Sequence, residues 1–255
     1  MIPKVIHYIW LGGNPLPEMV VKCMESWKKF CPDYEIKRWD ETNLNLDINT
    51  YCRQAYDAKK YAFASDVLRY YVVKEHGGIY LDVDVELLKP LDDLLENKAF
   101  MGFEMSETLF VNPGLILGAE PHNKVVTEIF NKYENDTFIK PNGQINYETV
   151  CMKTTDYLQQ NYGLKIENTV QDLGDVKVYS TEYFCPLHAC TKENLYQTEN
   201  THSKHLYLAS WVPKQTFLQK IKSKCIKIIK KIIGKKNVQR IRDRRKRKQE
   251  KNNGL

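Results

Sequence analysis

The chain has 255 residues, of which 42% are hydrophobic and 27% are charged, values that are ordinary for a soluble globular protein of one α/β domain or two small ones. No apolar run approaches the roughly 20 residues that a membrane-spanning helix needs. The seven cysteines form no CxxC pair and no Cys/His cluster with zinc spacing. Because the first residues enter a strand and lack the apolar core of a secretion signal, we expect a cytosolic protein with reduced thiols.

The net charge of +6 combines two parts of opposite sign. Residues 1–213 contain 21 Lys and Arg against 30 Asp and Glu, a net charge of −9. Residues 214–255 contain 17 Lys and Arg against two acidic residues, a net charge of +15. This change of composition near Pro213 predicts an acidic domain over 1–213 followed by a basic tail over 214–255.

Strands and helices alternate along the acidic part. A strand is predicted at 4–10, where the run ends at two glycines, and a helix follows at 17–30. The periodicity predicts further strands at 34–40, 78–85, 99–103 and 109–118, and helices at 49–76 (broken near 62–65), 122–134 and 145–160. This order predicts a mostly parallel sheet covered by helices, which binds its ligand beyond the carboxyl ends of the strands.

The run "GGIYLDVDVELLKP" places two aspartates in an otherwise apolar strand. Side chains alternate between the two faces of a strand, so Tyr80, Asp82, Asp84 and Glu86 are expected to share the face opposite four apolar residues. Two neighbouring carboxylates repel each other unless a cation lies beside them. Their oxygens suit Mg²⁺ or Mn²⁺, although a solvated acidic pair at a strand end is equally compatible with this motif alone.

The preceding helix places Asp66 and Arg69 three residues apart, on one helical face. The chain then returns through two glycines to the D-x-D strand. By spacing alone, a surface ion pair of little energetic value explains these two residues better than a binding site does.

Several segments together resemble the family-32 glycosyltransferases, which include yeast Golgi α-mannosyltransferases and bacterial capsule and lipopolysaccharide enzymes. The same pattern is shared by the glucosyltransferase domains of clostridial toxins. The similarity rests on the following segments: "IPKVIHYIWLGG" (2–13), "SWKKFCPDYEIKRWDETN" (26–43), "ASDVLRYYVVKEHGGIYLDVDV" (64–85) and "HLYLASW" (205–211). The family usually has two adjacent histidines in the last of these, where this chain has His205 followed by Leu206.

This resemblance implies a GT-A fold and a divalent-metal-dependent, retaining transfer of a hexosyl group from a UDP- or GDP-linked sugar. Asp84 would ligate the metal, Asp82 would contact ribose or sugar and help to place the metal, and His205 is a possible third metal or phosphate ligand. The remaining implied site residues are Asp66 and Arg69 on the donor sugar, Trp10 on the base, Tyr80 lining the pocket, Ser210 and Trp211 over the β-phosphate, and Asn112 on the acceptor side.

The implied reaction belongs to cell-surface polysaccharide synthesis, with a saccharide or lipid-linked saccharide as acceptor. A metal would neutralise the diphosphate leaving group, while the anomeric carbon becomes oxocarbenium-like. No nucleophile is evident from the sequence. The family therefore implies front-face attack, in which the leaving phosphate takes the proton of the acceptor.

Two alternatives come from other classes of protein. The run "IYLDVDVE" also fits a haloacid dehalogenase-like phosphatase that uses Asp82 and Asp84, although residues 1–76 would then be unexplained. The second alternative is a nucleic-acid-binding protein that uses the run "RIRDRRKRKQEK". The acidic body argues against this, and we expect no nucleic-acid partner.

The tail has a better explanation as a membrane-binding segment. Apolar residues recur at helical spacing over 214–236, with lysines on the opposite face, which predicts an amphipathic helix. We expect residues 214–250 to bind an anionic membrane and to hold the protein peripherally on the inner face of the cell membrane. The alternative is a helix that packs on the surface of its own domain.

Overall fold

The computed structural model describes residues 1–106, 108–189 and 191–208, and these residues form strands and helices in alternation. The predicted tail lies outside the described residues, so the division at residue 213 stays a prediction. The bounds are β1 Val5–Ile9, α1 Glu18–Phe30, β2 Glu35–Trp39, α2 Thr50–Asp57, α3 Tyr61–His76, β3 Gly78–Tyr80, β4 Val85–Leu87, β5 Ala99–Met105, β6 Leu109–Val111, β7 Leu117–Ala119, α4 Lys124–Asn131, α5 Val150–Tyr162, β8 Gln171–Asp172, β9 Lys177–Tyr179, α6 Thr181–Phe184 and β10 Ser203–His205.

The main sheet has the strand order β2-β1-β3-β7-β5-β9-β8, with β6 paired to β5. Strands β2, β1 and β3 are parallel neighbours. Strand β7 runs antiparallel between β3 and β5, so β5 and its parallel neighbour β9 point the same way as β1. Only β7 and β8 on this path run against that direction. The predicted α/β fold with a mostly parallel sheet is confirmed.

Helices cover both faces of this sheet, because its strands are apolar on both sides. One buried cluster joins the sheet to α2, α3, α4 and α5 and includes Tyr80. The other joins the opposite face to α1 and α6 and includes Ile79 and Leu81. Adjacent residues of β3 therefore enter different cores, which fixes the register of the strand that leads into the two aspartates.

The segment predicted as one strand over 78–85 is divided in the structure. Strand β3 ends at Tyr80, and β4 begins at Val85 in a separate two-stranded sheet with β10. The expected alternation of burial persists on the apolar face, where Leu81 and Val83 are buried. The aspartates thus lie on a turn between two short strands rather than on a continuous strand.

Two other predicted elements are also divided. The helix break falls at residues 58–60, where Lys59 has a positive φ of 56°, and not near 62–65. The strand predicted over 109–118 is β6 and β7, separated by the segment that contains Asn112 and Gly114.

Among the described residues, none of the helices combines the length and the apolar character that crossing a bilayer requires.

Candidate functional site

Asp82 and Asp84 are placed by a tight turn at the carboxyl end of β3. The N–H of Leu81 still bonds to the backbone of β1 at 3.0 Å, whereas the N–H of Asp82 donates to the carbonyl of Gly114 at 2.9 Å. The N–H of Val85 then donates back to the Asp82 carbonyl at 3.1 Å and closes the turn. The two carboxylates are therefore held at the sheet edge at which ligands of parallel sheets bind.

His205 reaches this turn through the pairing of β10 with β4. These strands are antiparallel, with Val85 opposite His205. The N–H of Leu206 continues the pairing by donating to the Asp84 carbonyl at 2.9 Å. A residue 121 positions away in sequence is thus fixed beside Asp84 by backbone hydrogen bonds.

Asp82, Asp84 and His205 form a group that can hold a metal ion. Each offers one ligand atom, and these atoms all lie within 4.8 Å of one another. His205 Nε2 is 2.9 Å from Asp84 Oδ1, and the N–H of Leu208 donates to Asp84 Oδ2 at 2.8 Å. His205 Nδ1 is buried without a hydrogen-bond partner among residues 1–208 as described. Two carboxylates and an imidazole with an unsatisfied ring nitrogen fit a divalent cation such as Mn²⁺.

Asp84 and His205 stabilise each other in their charged forms, and a bound metal would take the place of the His205 proton. Burial opposes ionisation of Asp84, but His205 and the Leu208 N–H outweigh it, so the pKa of Asp84 lies below its ordinary value. Burial also opposes protonation of His205, but the Asp84 carboxylate dominates and raises the pKa of His205. The site therefore keeps an ionised carboxylate available in a largely buried position.

Asp66 and Arg69 form a buried ion pair directly behind Asp82. Arg69 Nη2 lies 2.8 Å from Asp66 Oδ1 and 3.4 Å from Asp82 Oδ1, and only 5% of the Arg69 side chain is exposed. Burial raises the pKa of Asp66 to about 6, against the opposing effect of Arg69. Because both side chains are buried, the interpretation as a solvated surface pair is wrong. Burying such a network is costly unless its members compensate one another.

Tyr80 contacts both Asp82 and Arg69 from the buried side of the site. Its hydroxyl donates to Asp82 Oδ1 at 2.8 Å, and the Arg69 guanidinium lies 5.0 Å from the centre of its ring. The side chain is 2% exposed, so Tyr80 orients Asp82 from below the site rather than presenting a surface to a ligand. Burial raises the pKa of its hydroxyl well above the ordinary value, which keeps it a donor.

Asn112 and Gly114 form the opposite side of the site. Asn112 Oδ1 accepts the N–H of Gly114 at 2.7 Å, and Asn112 Nδ2 donates to Glu104 Oε2 at 2.5 Å. A Cβ atom at Gly114 would overlap Asp82 Oδ2 and would lie 2.7 Å from Arg69 Nη1. The glycine therefore permits the β6–β7 connection to approach the charged groups closely.

Trp10 lies at the same edge of the sheet, just beyond the carboxyl end of β1. It is half-buried, and its Nε1 donates to the carbonyl of Asn14 at 2.6 Å. Because β1 and β3 are parallel neighbours with His7 opposite Tyr80, Trp10 follows the strand next to the one that leads into Asp82. Its predicted stacking on a nucleotide base stays a prediction.

Ser210 and Trp211, predicted to close over the β-phosphate, lie outside the described residues. The structure thus brings together Asp66, Arg69, Tyr80, Asp82, Asp84, Asn112 and His205 from the predicted set. Sequence reasoning missed Glu104, Gly114 and Tyr207, which join this site. Only Gly114 carried a signal, in the turn-forming "NPG" run.

Comparisons with known proteins find glycosyltransferases. Residues 17–101 match the model of the family described as "Glycosyltransferase sugar-binding region containing DXD motif". An uncharacterized glycosyltransferase, L373, of Acanthamoeba polyphaga mimivirus is 26% identical over 84% of this chain and 85% of its own length. Inositol phosphoceramide mannosyltransferase 3 of Schizosaccharomyces pombe is 36% identical over 39% of this chain. The chain spans only 29% of the length of that yeast relative.

Among solved structures, the PaToxG glycosyltransferase is similar to this chain, with a TM-score of 0.48 and 20% sequence identity. The similarity covers 64% of this chain and 70% of that protein.

Proposed function

We propose that this chain, whose residues 17–101 match the family of glycosyltransferases with a DXD-containing sugar-binding region, is a member of that family. It transfers a hexosyl group, with retention, from a UDP- or GDP-linked sugar. The observation that carries the proposal is the convergence of Asp82, Asp84 and His205 within 4.8 Å, at the sheet edge next to the buried pair of Asp66 and Arg69. Family membership implies the GT-A type of α/β fold for this arrangement.

A divalent cation, Mn²⁺ or Mg²⁺, would be held by Asp82, Asp84 and His205. When bound, it would neutralise the charge of the diphosphate leaving group. Asp66 and Arg69 would hold the hydroxyls and the phosphate side of the donor. Their buried contacts fix both groups before substrate arrives, so little reorganisation is needed during the reaction.

The acceptor is a saccharide or a lipid-linked saccharide in cell-surface polysaccharide synthesis. The name of the Schizosaccharomyces relative specifies mannosyl transfer to inositol phosphoceramide, which makes GDP-mannose the first donor to test. A lipid-linked acceptor also agrees with the basic tail, which would hold the enzyme peripherally at the inner face of the cell membrane.

The phosphatase alternative receives less support. It requires Asp82 to act as a nucleophile, whereas Asp82 Oδ1 accepts a hydrogen bond from Tyr80 and lies 3.4 Å from Arg69. The family match also includes the D-x-D segment itself. Glycosyl transfer therefore accounts for more of the site.

A thermal-shift screen tests the proposal. The full chain is heated with UDP, GDP and a panel of UDP- and GDP-sugars, each with Mn²⁺ and each with EDTA. A bound nucleotide at 100 times its Kd contributes about 2.7 kcal/mol to stability, and we expect a Tm rise of a few degrees that needs Mn²⁺. Equal Tm values for all nucleotides in Mn²⁺ and in EDTA would contradict the proposal.

A further inference from the structure

Glu104 is a carboxylate beside the proposed metal group that the metal site does not use. It is the penultimate residue of β5 and is partly exposed. It lies outside the cluster of Asp82, Asp84 and His205, and hydrogen bonds through Asn112 and Gly114 connect it to Asp82. A partly exposed carboxylate connected to the other acids in this way is a candidate for a chemical role.

Glu104 has two neutral groups beside it. Asn112 Nδ2 donates to Glu104 Oε2 at 2.5 Å. The other is the Tyr207 hydroxyl, which lies 2.8 Å from the thiol of Cys185. Neutral donors orient a carboxylate without neutralising its charge, so its remaining lone pairs can accept a hydrogen bond from a ligand.

Tyr207 connects Glu104 to the metal group. Its ring centre is 4.2 Å from that of His205, and its φ of 52° is left-handed, which is unusual for an aromatic residue. Strained backbone of this kind persists where the surrounding contacts determine it, most often at functional sites.

Asn112 connects Glu104 to the other side of the site. Asn112 Oδ1 accepts the N–H of Gly114, whose carbonyl accepts the N–H of Asp82. Asp82 in turn lies 3.4 Å from Arg69, in the proposed donor-sugar pocket. The path of contacts from Glu104 to Asp66 and Arg69 therefore runs through the Asn112–Gly114 segment and Asp82.

From this position we infer that Glu104 binds and orients the attacking hydroxyl, whether of a sugar acceptor or of water, an inference that rests on the proposed function. The hydroxyl oxygen forms a bond to the anomeric carbon while the bond from that carbon to the diphosphate breaks. The electron pair and the hydroxyl proton go to the leaving diphosphate. Glu104 ends the step ionised, and its charge stabilises the developing positive charge at carbon.

The test compares wild-type protein with Glu104→Gln and Glu104→Ala, and with Glu134→Gln as a control in an exposed loop. Nucleotide release from GDP-mannose and UDP-glucose is measured with Mn²⁺, in water and with methyl mannoside as a simple acceptor. We expect both Glu104 variants to lose about 100-fold in kcat. The KM for the donor and the Kd for nucleotide with Mn²⁺ stay within about threefold of wild type.

Three results would overturn this inference. One is a kcat of either variant within threefold of wild type. Another is a parallel loss of nucleotide binding, which would place Glu104 in the donor site or in the structure alone. The last is a wild-type protein that neither binds nucleotide with Mn²⁺ nor releases nucleotide from the two sugar donors. That result would refute the proposed function first. Tyr207→Phe, which removes only the hydroxyl beside Glu104, should lower kcat less than Glu104→Ala does.

Discussion

At the residue scale, the site depends on charges that are buried together. Arg69 is shared between Asp66 and Asp82, and Tyr80 supports the same carboxylate of Asp82 from below. Each member satisfies a neighbour that would otherwise be a buried unpaired charge. Removing one partner of such a network costs more than the net contribution of the pair, because the other partner is left uncompensated.

The donor pocket gives the first prediction. Asp66→Asn and Arg69→Ala should each lower kcat/KM for the nucleotide-sugar by about 100-fold, because both groups would hold the donor in its reactive geometry. Steady-state kinetics measure this, with Arg53→Ala as the control, since Arg53 pairs with Asp47 and Asp57 on the surface. Near wild-type rates in both pocket variants would mean that the ion pair is structural.

Gly114 gives the second prediction. Gly114→Ala should remove Mn²⁺-dependent nucleotide binding, because the new Cβ overlaps Asp82 Oδ2 and displaces the carboxylate. Calorimetric titration of nucleotide with Mn²⁺ measures this. Gly143→Ala is the control, because a Cβ there meets no atom within 4 Å, although its φ of 78° adds some strain. Unchanged affinity in Gly114→Ala would show that the connection relaxes without moving Asp82.

At the element scale, the junction of β1, β2 and the end of α3 contains a buried neutral histidine. His7 Nε2 donates to the carbonyl of Gly77 at 2.8 Å, and His7 Nδ1 accepts from Trp39 Nε1 at 3.0 Å. Burial lowers the pKa of His7 to about 4. Protonation at Nδ1 would remove the hydrogen bond to Trp39 and leave a buried charge.

This junction gives the third prediction. The unfolded chain binds a proton at His7 near pH 6.5, whereas the folded chain does so only near pH 4. Stability should therefore fall as pH is lowered through this window, by on the order of 3 kcal/mol from His7 alone. Urea unfolding at pH 7 and pH 4.5 measures this. His7→Gln should reduce the loss and His122→Gln should not, and an unchanged loss in His7→Gln would contradict the assignment.

Elements with strong local signals were predictable from the sequence. Helix α1 begins at Glu18, directly after Pro17, and α3 ends at His76, directly before Gly77, as the turn chemistry indicates. The short strands β4 and β10 were not predictable in this way, because each has three residues and forms by pairing with the other. Consequently the resemblance, and not the periodicity, suggested His205 as a metal ligand. Glu104 had no local signal at all.

At the scale of the whole molecule, the two oppositely charged parts have different expected roles. The acidic body, residues 1–213, has a net charge of −9 and contains the site. The basic tail, residues 214–255, has a net charge of +15 and lies outside the described residues. An acidic body is repelled by an anionic membrane, so a basic amphipathic tail is the part that we expect to hold the enzyme near a lipid-linked acceptor.

The tail gives the fourth prediction. The full chain should sediment with vesicles that contain anionic lipid, and deletion of 214–255 should abolish this binding. High salt should weaken it, because the Debye length falls from about 10 Å at 0.1 M to about 3 Å at 1 M. Equal binding to neutral and anionic vesicles would contradict the electrostatic part, and the absence of binding to either would indicate that the tail packs on protein.

The central claim is that Asp84 holds a divalent cation that the transfer of sugar requires. The most direct measurement is nucleotide release from the donor that the thermal-shift screen identifies, for wild type and Asp84→Asn, in Mn²⁺ and in EDTA. The fold of the variant is checked by its circular dichroism spectrum and cooperative unfolding. We predict release by wild type in Mn²⁺, and a loss of at least about 100-fold both in EDTA and in the folded variant. Full activity of wild type in EDTA, or of Asp84→Asn in Mn²⁺, would contradict the claim.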